Sequence, residues 1–397
     1  MRASITLFVS CAASVATSSP FPSPQLLSKI SVGCHHWGKD CPVPGFAGTD
    51  SSPSLVGEDS GRIAIGSYDG SIHILSSQNG SELALLEGGG EDSPSYDPVT
   101  TSITVWGGLK GSTIINYDSA TLKENWRTNA PIDNVATAGS GFGYIYAGTA
   151  EGTSSVFYSL DIETGATKWK YSAASEMWGT LGPLITPAMV CVGVGGDANF
   201  LLNKHSKLVC LDHNGTTLHE TETGGRQIQS RPSIGRNVIY VGDYDSCLYA
   251  VDRGMGGVVA KHCLGSLGGY NSVVEGSTVV RTDDDGLEHV IFDSWNGNVY
   301  SLSLDGATFK VDWKTNLGDS KLGGGGAAST PFVSNEALFV GGPTGVWSLV
   351  VATGEVLWFY ETGEQCGSSP TVWESKVGIG CEDGYFYLFS TEAAKQD

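Results

Sequence analysis

The chain has 397 residues, 40% of them hydrophobic and 10% aromatic, with 55 glycines and 15 prolines. Its 22 Lys/Arg face 42 Asp/Glu, a formal net charge of -20, which excludes nucleic acid and anionic membrane surfaces as expected partners because both demand basic patches. The apolar content is too high for a disordered acidic chain, and glycine without a three-residue period points to turns instead of collagen.

The amino terminus, MRASITLFVSCAASVATSSPFP, sets one Arg before an apolar stretch from Ile5 to about Val15, with small residues at Ser14 and Ala16. This is the pattern of a secretory signal peptide over 1–16, with a flexible mature segment expected over 17–31. No later segment approaches the ~18 continuous apolar residues of a membrane span, so the mature chain is expected to be soluble and exported, secreted or held in an extracytoplasmic lumen.

From residue 32 to 390 one phrase recurs roughly every 40 to 50 residues. Copies include IAIGSYDGSIHILSSQNGSEL from Ile63, VIYVGDYDSCLYAVDRGMGG from Val238 and LFVGGPTGVWSLVVATGEVLWFYETG from Leu338. Each decodes as a short strand starting near Ser-Ser-Pro, an alternating strand ending in Gly, a tight turn such as Tyr68-Asp69-Gly70, a third strand, a Thr-Gly turn and a fourth strand. Gly66, Gly107, Gly148, Gly193, Gly242, Gly341 and Gly380 close the second strand in seven copies, whereas Asp293 or Ser294 stands there in the sixth. Insertions near 195–206 and 281–290 lengthen the fourth and sixth copies.

Four antiparallel strands at this period predict an all-β, eight-bladed β-propeller. Trp126, Trp169, Trp313 and Trp358 fall at similar places in the fourth strands, where a large ring can fill the gap between blades. The last copy lacks a fourth strand. Residues near 32–39, with Trp37, precede Ser51-Ser52-Pro53 much as Trp358 precedes Ser368-Ser369-Pro370. They are therefore expected to supply the outer strand of the eighth blade, making 32–390 one closed domain followed by a tail over 391–397.

Removal of Cys11 with the leader leaves Cys34, Cys41, Cys191, Cys210, Cys247, Cys263, Cys366 and Cys381. An even count in an exported chain favours disulfides, and local pairing of 34 with 41, 191 with 210, 247 with 263 and 366 with 381 satisfies all eight; buried free thiols are the alternative. Asn79 and Asn214 head glycosylation sequons in third-to-fourth-strand turns.

The acidic candidates are Asp69, Asp243, Asp245 and Asp383 in second-to-third-strand turns, and Asp283, Asp284 and Asp285 in the sixth-copy insertion. Together they are expected to form an acidic loop face that contacts a cationic surface or ligand, although turn aspartates also shape turns through their own hydrogen bonds. The run at 283–285 has hard oxygen ligands suited to calcium but does not match the twelve-residue calcium loop, so a solvated acidic loop is the preferred reading. His35, His36, His205, His213 and His219 form no spaced metal motif.

The glycine-ended strand, Asp-Gly turn, Leu-Tyr-Ala-Val-Asp, Thr-Gly and Trp resemble the quinoprotein-like propeller repeat. The residues that carry the resemblance include Gly66, Asp69 and Gly70; Asp161, Thr164, Gly165 and Trp169; Gly242, Tyr249, Ala250 and Asp252; and Thr353, Gly354 and Trp358. The resemblance implies either a secreted alcohol dehydrogenase using pyrroloquinoline quinone or a non-catalytic assembly lipoprotein. The enzymes carry adjacent cysteines bridged over the cofactor, and this chain has no Cys-Cys. The leading expectation is an exported, non-catalytic scaffold for protein or carbohydrate, with no catalytic residue and no cofactor. The alternative is a secreted, quinone-dependent, calcium-assisted alcohol or sugar dehydrogenase.

Overall fold

Val238–Gly242 is buried along its whole length, and a four-stranded sheet built on such strands cannot cover both of its own faces. In the computed structural model the chain solves this by stacking eight four-stranded antiparallel sheets as propeller blades. The structure describes residues 24–33, 48–57, 59, 61–90, 93–106, 113–128, 135–151, 154–173, 182–195, 206–265, 272–318 and 329–393. Every regular element among them is a strand, and no helix among them is long and apolar enough to cross a membrane.

Blades one to seven occupy 54–87, 95–128, 135–173, 184–222, 233–263, 279–316 and 332–361, each with its strands in chain order. First strands of neighbouring blades touch one another, as in blades one and two, five and six, and seven and eight, so they form the inner wall of the ring. Fourth strands such as Thr217–Glu222 form the rim and alternate between exposed and buried. The core lies between blades. Ile239, Val241, Tyr249 and Val251 of blade five pack on Leu208, Cys191 and Cys210 of blade four, and the same arrangement repeats around the ring.

The outer-strand tryptophans join blade to blade. Trp126 Nε1 donates to Ile162 O at 3.0 Å, Trp169 Nε1 to His213 O at 2.8 Å, and Trp313 Nε1 to Val351 O at 3.0 Å, each acceptor lying in the third-to-fourth-strand turn of the next blade. Gly165 (φ +70) and Gly354 (φ +71) sit under the rings of Trp126 and Trp313, where a Cβ would come within 2.6 and 2.5 Å of a ring carbon. Positive φ and lack of space both require glycine in the Thr-Gly turn.

The amino-terminal strand closes the eighth blade, but from a different segment than expected. Pro24–Ser31 pairs antiparallel with Tyr385–Ala393, with Ile30 opposite Phe386 and Ser31 opposite Tyr385. The segment assigned to a flexible 17–31 is thus a strand over its last eight residues. At the seam Trp373, on the first strand of blade eight, donates to Ser77 O of blade one at 3.1 Å. Trp37, Cys34, Cys41, His35, His36, His205 and the leader lie outside the described residues.

Candidate functional site

Strand parity divides the loops between two faces. Second-to-third-strand turns and inter-blade links open on one; first-to-second and third-to-fourth-strand turns open on the other.

On the first face the expected aspartates are held by their own blades. Asp243 is fully buried. Its Oδ1 accepts the N–H groups of Asp245 and Cys247, both at 2.9 Å, and its Oδ2 accepts Tyr249 OH at 2.8 Å. Burial pushes this carboxyl up to about 6 despite those bonds. Asp383 Oδ2 accepts Gly363 N–H at 3.1 Å and Tyr387 OH, with Lys29 Nζ 3.7 Å away. Asp69 Oδ2 meets His73 Nε2 at 3.2 Å, and His73 Nδ1 meets Glu82 at 2.7 Å. Burial alone would lower the imidazole pKa, but Asp69 and Glu82 outweigh it and raise it. Asp245 pairs with Arg226 Nε at 3.1 Å. In four blades the partner is the third residue of the third strand: His73, Tyr249, Tyr387 and, in blade six, Tyr300, whose hydroxyl accepts Asn296 Nδ2 at 2.8 Å.

Asp283, Asp284 and Asp285 do not join them. They occupy the hairpin between Val279–Thr282 and Glu288–Ser294, a first-to-second-strand turn, and so lie on the opposite face. The supposed sixth-copy insertion is this extended hairpin. Asp283 pairs with Arg281 at 2.6 Å and His289 at 2.7 Å, and His289 also meets Asp312 at 2.8 Å. Among the described residues no group of three or more His, Cys, Asp or Glu is placed to hold a metal. Asn79 and Asn214 are exposed on this second face.

The sequence reading missed a second set of acids on the first face, at the inner ends of the blades. Tyr68 OH donates to Asp50 Oδ2 at 3.1 Å and Gln365 Nε2 donates to Glu382 Oε1, while Asp50 Oδ1 and Glu382 Oε2 are buried side by side with no other hydrogen-bond partner. Burial first, then the neighbouring Asp50, pushes Glu382 up to about 9; burial also raises Asp50. Two carboxyls so close hold a proton between them. In blade six, burial and then Glu275 raise Asp293 well above the ordinary carboxylate range.

Asp293 also resolves the irregular sixth copy. Elsewhere the strand-ending glycine donates its N–H to a link serine: Gly66 to Ser51 at 2.9 Å, Gly242 to Ser230 at 2.7 Å, Gly341 to Ser329 and Gly380 to Ser368, both at 3.0 Å. Blade six exchanges both partners, with Gly276 in the serine's place and Asp293 in the glycine's. A Cβ on Gly276 would stand 2.2 Å from Asp293 Oδ1. The large residue has moved from one side of the contact to the other.

Cysteines pair locally, as Cys191–Cys210, Cys247–Cys263 and Cys366–Cys381, at separations of 19, 16 and 15 residues. Such bridges fit an oxidising, extracytoplasmic compartment.

Residues 69–304, more than half of the chain, match the family described as outer membrane protein assembly factor BamB. The chain belongs to that family. No curated protein matches the sequence. Among solved structures, BamB from Moraxella catarrhalis is similar with a TM-score of 0.67 at 16% identity, covering 94% of this chain and 99% of that one. The quinohemoprotein alcohol dehydrogenase from Comamonas testosteroni gives 0.66 at 14% identity, covering 94% of this chain and 77% of that one. Sqt1 from Saccharomyces cerevisiae gives 0.68 at 14% identity, with 93% and 99% covered. At these identities the likeness is one of fold.

This BamB-family chain does not fit the arrangement implied for a quinone enzyme by adjacent bridged cysteines. The described cysteines pair across or beside strands, never with a chain neighbour. Its turn acids are occupied in bonds that fix the backbone. What the first face offers is therefore a set of loop positions fixed by buried side chains.

Proposed function

We propose that this protein is an exported, non-catalytic scaffold that binds a partner protein through the face formed by the second-to-third-strand turns and the inter-blade links. The observation that carries the reading is the holding of the turns of blades one, five, six and eight by a buried partner, as Tyr249 holds Asp243 and Tyr387 holds Asp383. A loop already ordered loses little entropy on docking, which favours recognition over large rearrangement. Membership of an assembly-factor family and a net charge of -20 support a protein partner with a cationic surface. Carbohydrate remains within the proposal as a second ligand class for the same face. Export would follow from the leader over 1–16, and glycans on Asn79 and Asn214 would shield the other face.

The test is site-specific photo-cross-linking in the native host. Probes at Ser93 and Glu364, on the proposed face, are expected to capture a defined protein that probes at Asn214 and Met255 do not. Equal capture from both faces would overturn the choice of face. A quinone absorbance in the native protein, with dye-linked alcohol oxidation, would overturn the non-catalytic reading.

A further inference from the structure

The second face carries an exposed aromatic surface that its own backbone disfavours. Two residues join the first strand to the second in blades three, seven and eight, and the leading one has positive φ each time: Phe142 (φ 56), Asn335 (φ 55) and Glu374 (φ 49). Asparagine suits such a turn because its short polar side chain tolerates the left-handed conformation, whereas a bulky ring there is an outlier. Phe142 is also 54% exposed. Neither backbone preference nor burial within blade three accounts for a phenylalanine at this tip.

The ring stands instead against a neighbouring blade. It lies 5.6 Å from the imidazole of His213, in the third-to-fourth-strand turn of blade four, and Tyr144 stacks on the same imidazole at 5.7 Å with the planes 1° apart. His213 is held on every side. Tyr146 OH donates to its Nδ1 at 2.5 Å, its Nε2 donates to Thr186 O at 2.8 Å, and Trp169 Nε1 donates to its backbone O at 2.8 Å. Phe142, Tyr144 and His213 thus form a rigid platform, partly open to solvent, across the junction of blades three and four. The next residue is Asn214, exposed and at the head of the sequon Asn214-Gly215-Thr216. Asp212 Oδ1 accepts the N–H groups of Asn214 and Thr216 at 2.9 and 2.8 Å and so fixes the turn. The other sequon has an aliphatic setting: Asn79 Oδ1 accepts Ser81 N–H at 3.0 Å, and a Cβ on Gly80 would collide with Ile30 Cδ1.

We propose that the platform of Phe142, Tyr144 and His213 seats the first sugars of an N-linked glycan on Asn214, so that the glycan becomes part of the junction between blades three and four. A pyranose ring presents a face of C–H groups that packs on aromatic rings while its hydroxyls stay in water. Asn214 is the chain neighbour of His213, with Cα atoms about 3.8 Å apart, so the covalent tether delivers the sugar to these rings without a separate binding event. Covering Phe142 removes apolar surface from water, which offsets the backbone strain at its turn. The inference rests on the proposed glycosylation of Asn214. An unmodified Asn214 overturns both, whereas a modified Asn214 uncoupled from Phe142 overturns this inference alone.

The experiment expresses the full chain in its native host, reads occupancy of both asparagines by peptide mass spectrometry and follows thermal midpoints. Asn214→Gln is expected to lower the midpoint by about 1–2 °C, and Ser81→Ala, which removes the other sequon, to leave it unchanged. Phe142→Asn supplies the sign that a purely structural ring would not give. With the glycan present it should lower the midpoint by about 1–2 °C. In the Asn214→Gln background, where only the strained turn is relieved, it should leave the midpoint unchanged or raise it. An equal fall in both backgrounds, or an unmodified Asn214, overturns the proposal. Should a variant fail to fold, the wild-type chain decides by NMR. An acetamido methyl of the Asn-linked sugar shifted upfield, with cross-peaks to the Phe142 ring, supports the seat, and the shifts of a free glycan overturn it.

Discussion

Asp50 and Glu382 meet carboxyl to carboxyl across the seam where the last blade closes on the first, with Tyr68 and Gln365 donating to their outer oxygens. The pair belongs to two blades that only ring closure brings together. Its protonation is thereby coupled to the integrity of the ring.

That coupling has a sign. Glu382 rises from 4.5 to about 9 in the folded protein, so the folded state holds the proton more tightly than the unfolded chain does. The stabilisation is complete below the unfolded value and is lost as the pH climbs through about 9. Thermal midpoints are expected to fall between pH 5 and pH 9. Glu382→Gln, which keeps the shape and supplies a permanent donor, should flatten that fall and raise stability at pH 9 by on the order of 1–2 kcal/mol. Parallel midpoint-against-pH curves for the two proteins would refute the shared proton.

The exchange in blade six predicts a strong pairwise coupling. Gly276→Ser alone drives a side chain into Asp293 and is expected to destabilise by about 2–3 kcal/mol. Gly276→Ser with Asp293→Gly restores the serine–glycine contact of blades one, five, seven and eight and removes a buried acid. The double variant should be at least as stable as wild type, with a coupling energy of about 1–3 kcal/mol in denaturant unfolding. Additive effects would show that the two positions do not compensate each other.

Most of the ring was legible in the sequence because its signals are local. Glycine at Gly165 and Gly354, tryptophan four residues later, and alternating strands such as Thr217–Glu222 each report an environment that their own blade and the next one impose. What escaped was non-local. Pro24–Ser31 is a rim strand with only Ile30 packed against the seam cluster, and it carries no apolar alternation strong enough to announce itself. Asp50 and Glu382 look like ordinary surface acids until closure joins them. The grouping of Asp283 with Asp69 failed for a topological reason: strand parity, and not charge density, decides which face a turn occupies. The exchange of Gly276 and Asp293 was visible as an irregular copy, and its meaning required the contact.

The inter-blade tryptophans give a graded prediction. Trp169→Phe keeps an aromatic ring beside Phe157 and Tyr146 but loses the donor to His213 O, and is expected to cost about 1 kcal/mol. Trp313→Ala empties a buried site and should cost about 3–5 kcal/mol. Chemical denaturation of both variants checks the order, and equal losses would mean that the indole bond and not the ring's volume holds the blades together.

The Cys366–Cys381 bridge ties the link before blade eight to the end of that blade's second strand, beside Glu382 and the seam. Replacing both cysteines with alanine releases a 15-residue separation and is expected to cost about 2–4 kcal/mol. The same replacement at Cys247–Cys263 removes a clip of similar span between the third and fourth strands of blade five, far from closure. Equal loop lengths predict nearly equal global losses. Local opening should differ, because blade eight is completed by a separate chain segment and blade five by a continuous hairpin. Hydrogen exchange in Tyr385–Ala393 and Pro24–Ser31 is therefore expected to accelerate in the first variant and to remain at wild-type rates in the second. Uniform acceleration throughout both variants would mean that the ring opens only as a whole, and that the seam is no weaker than any other blade junction.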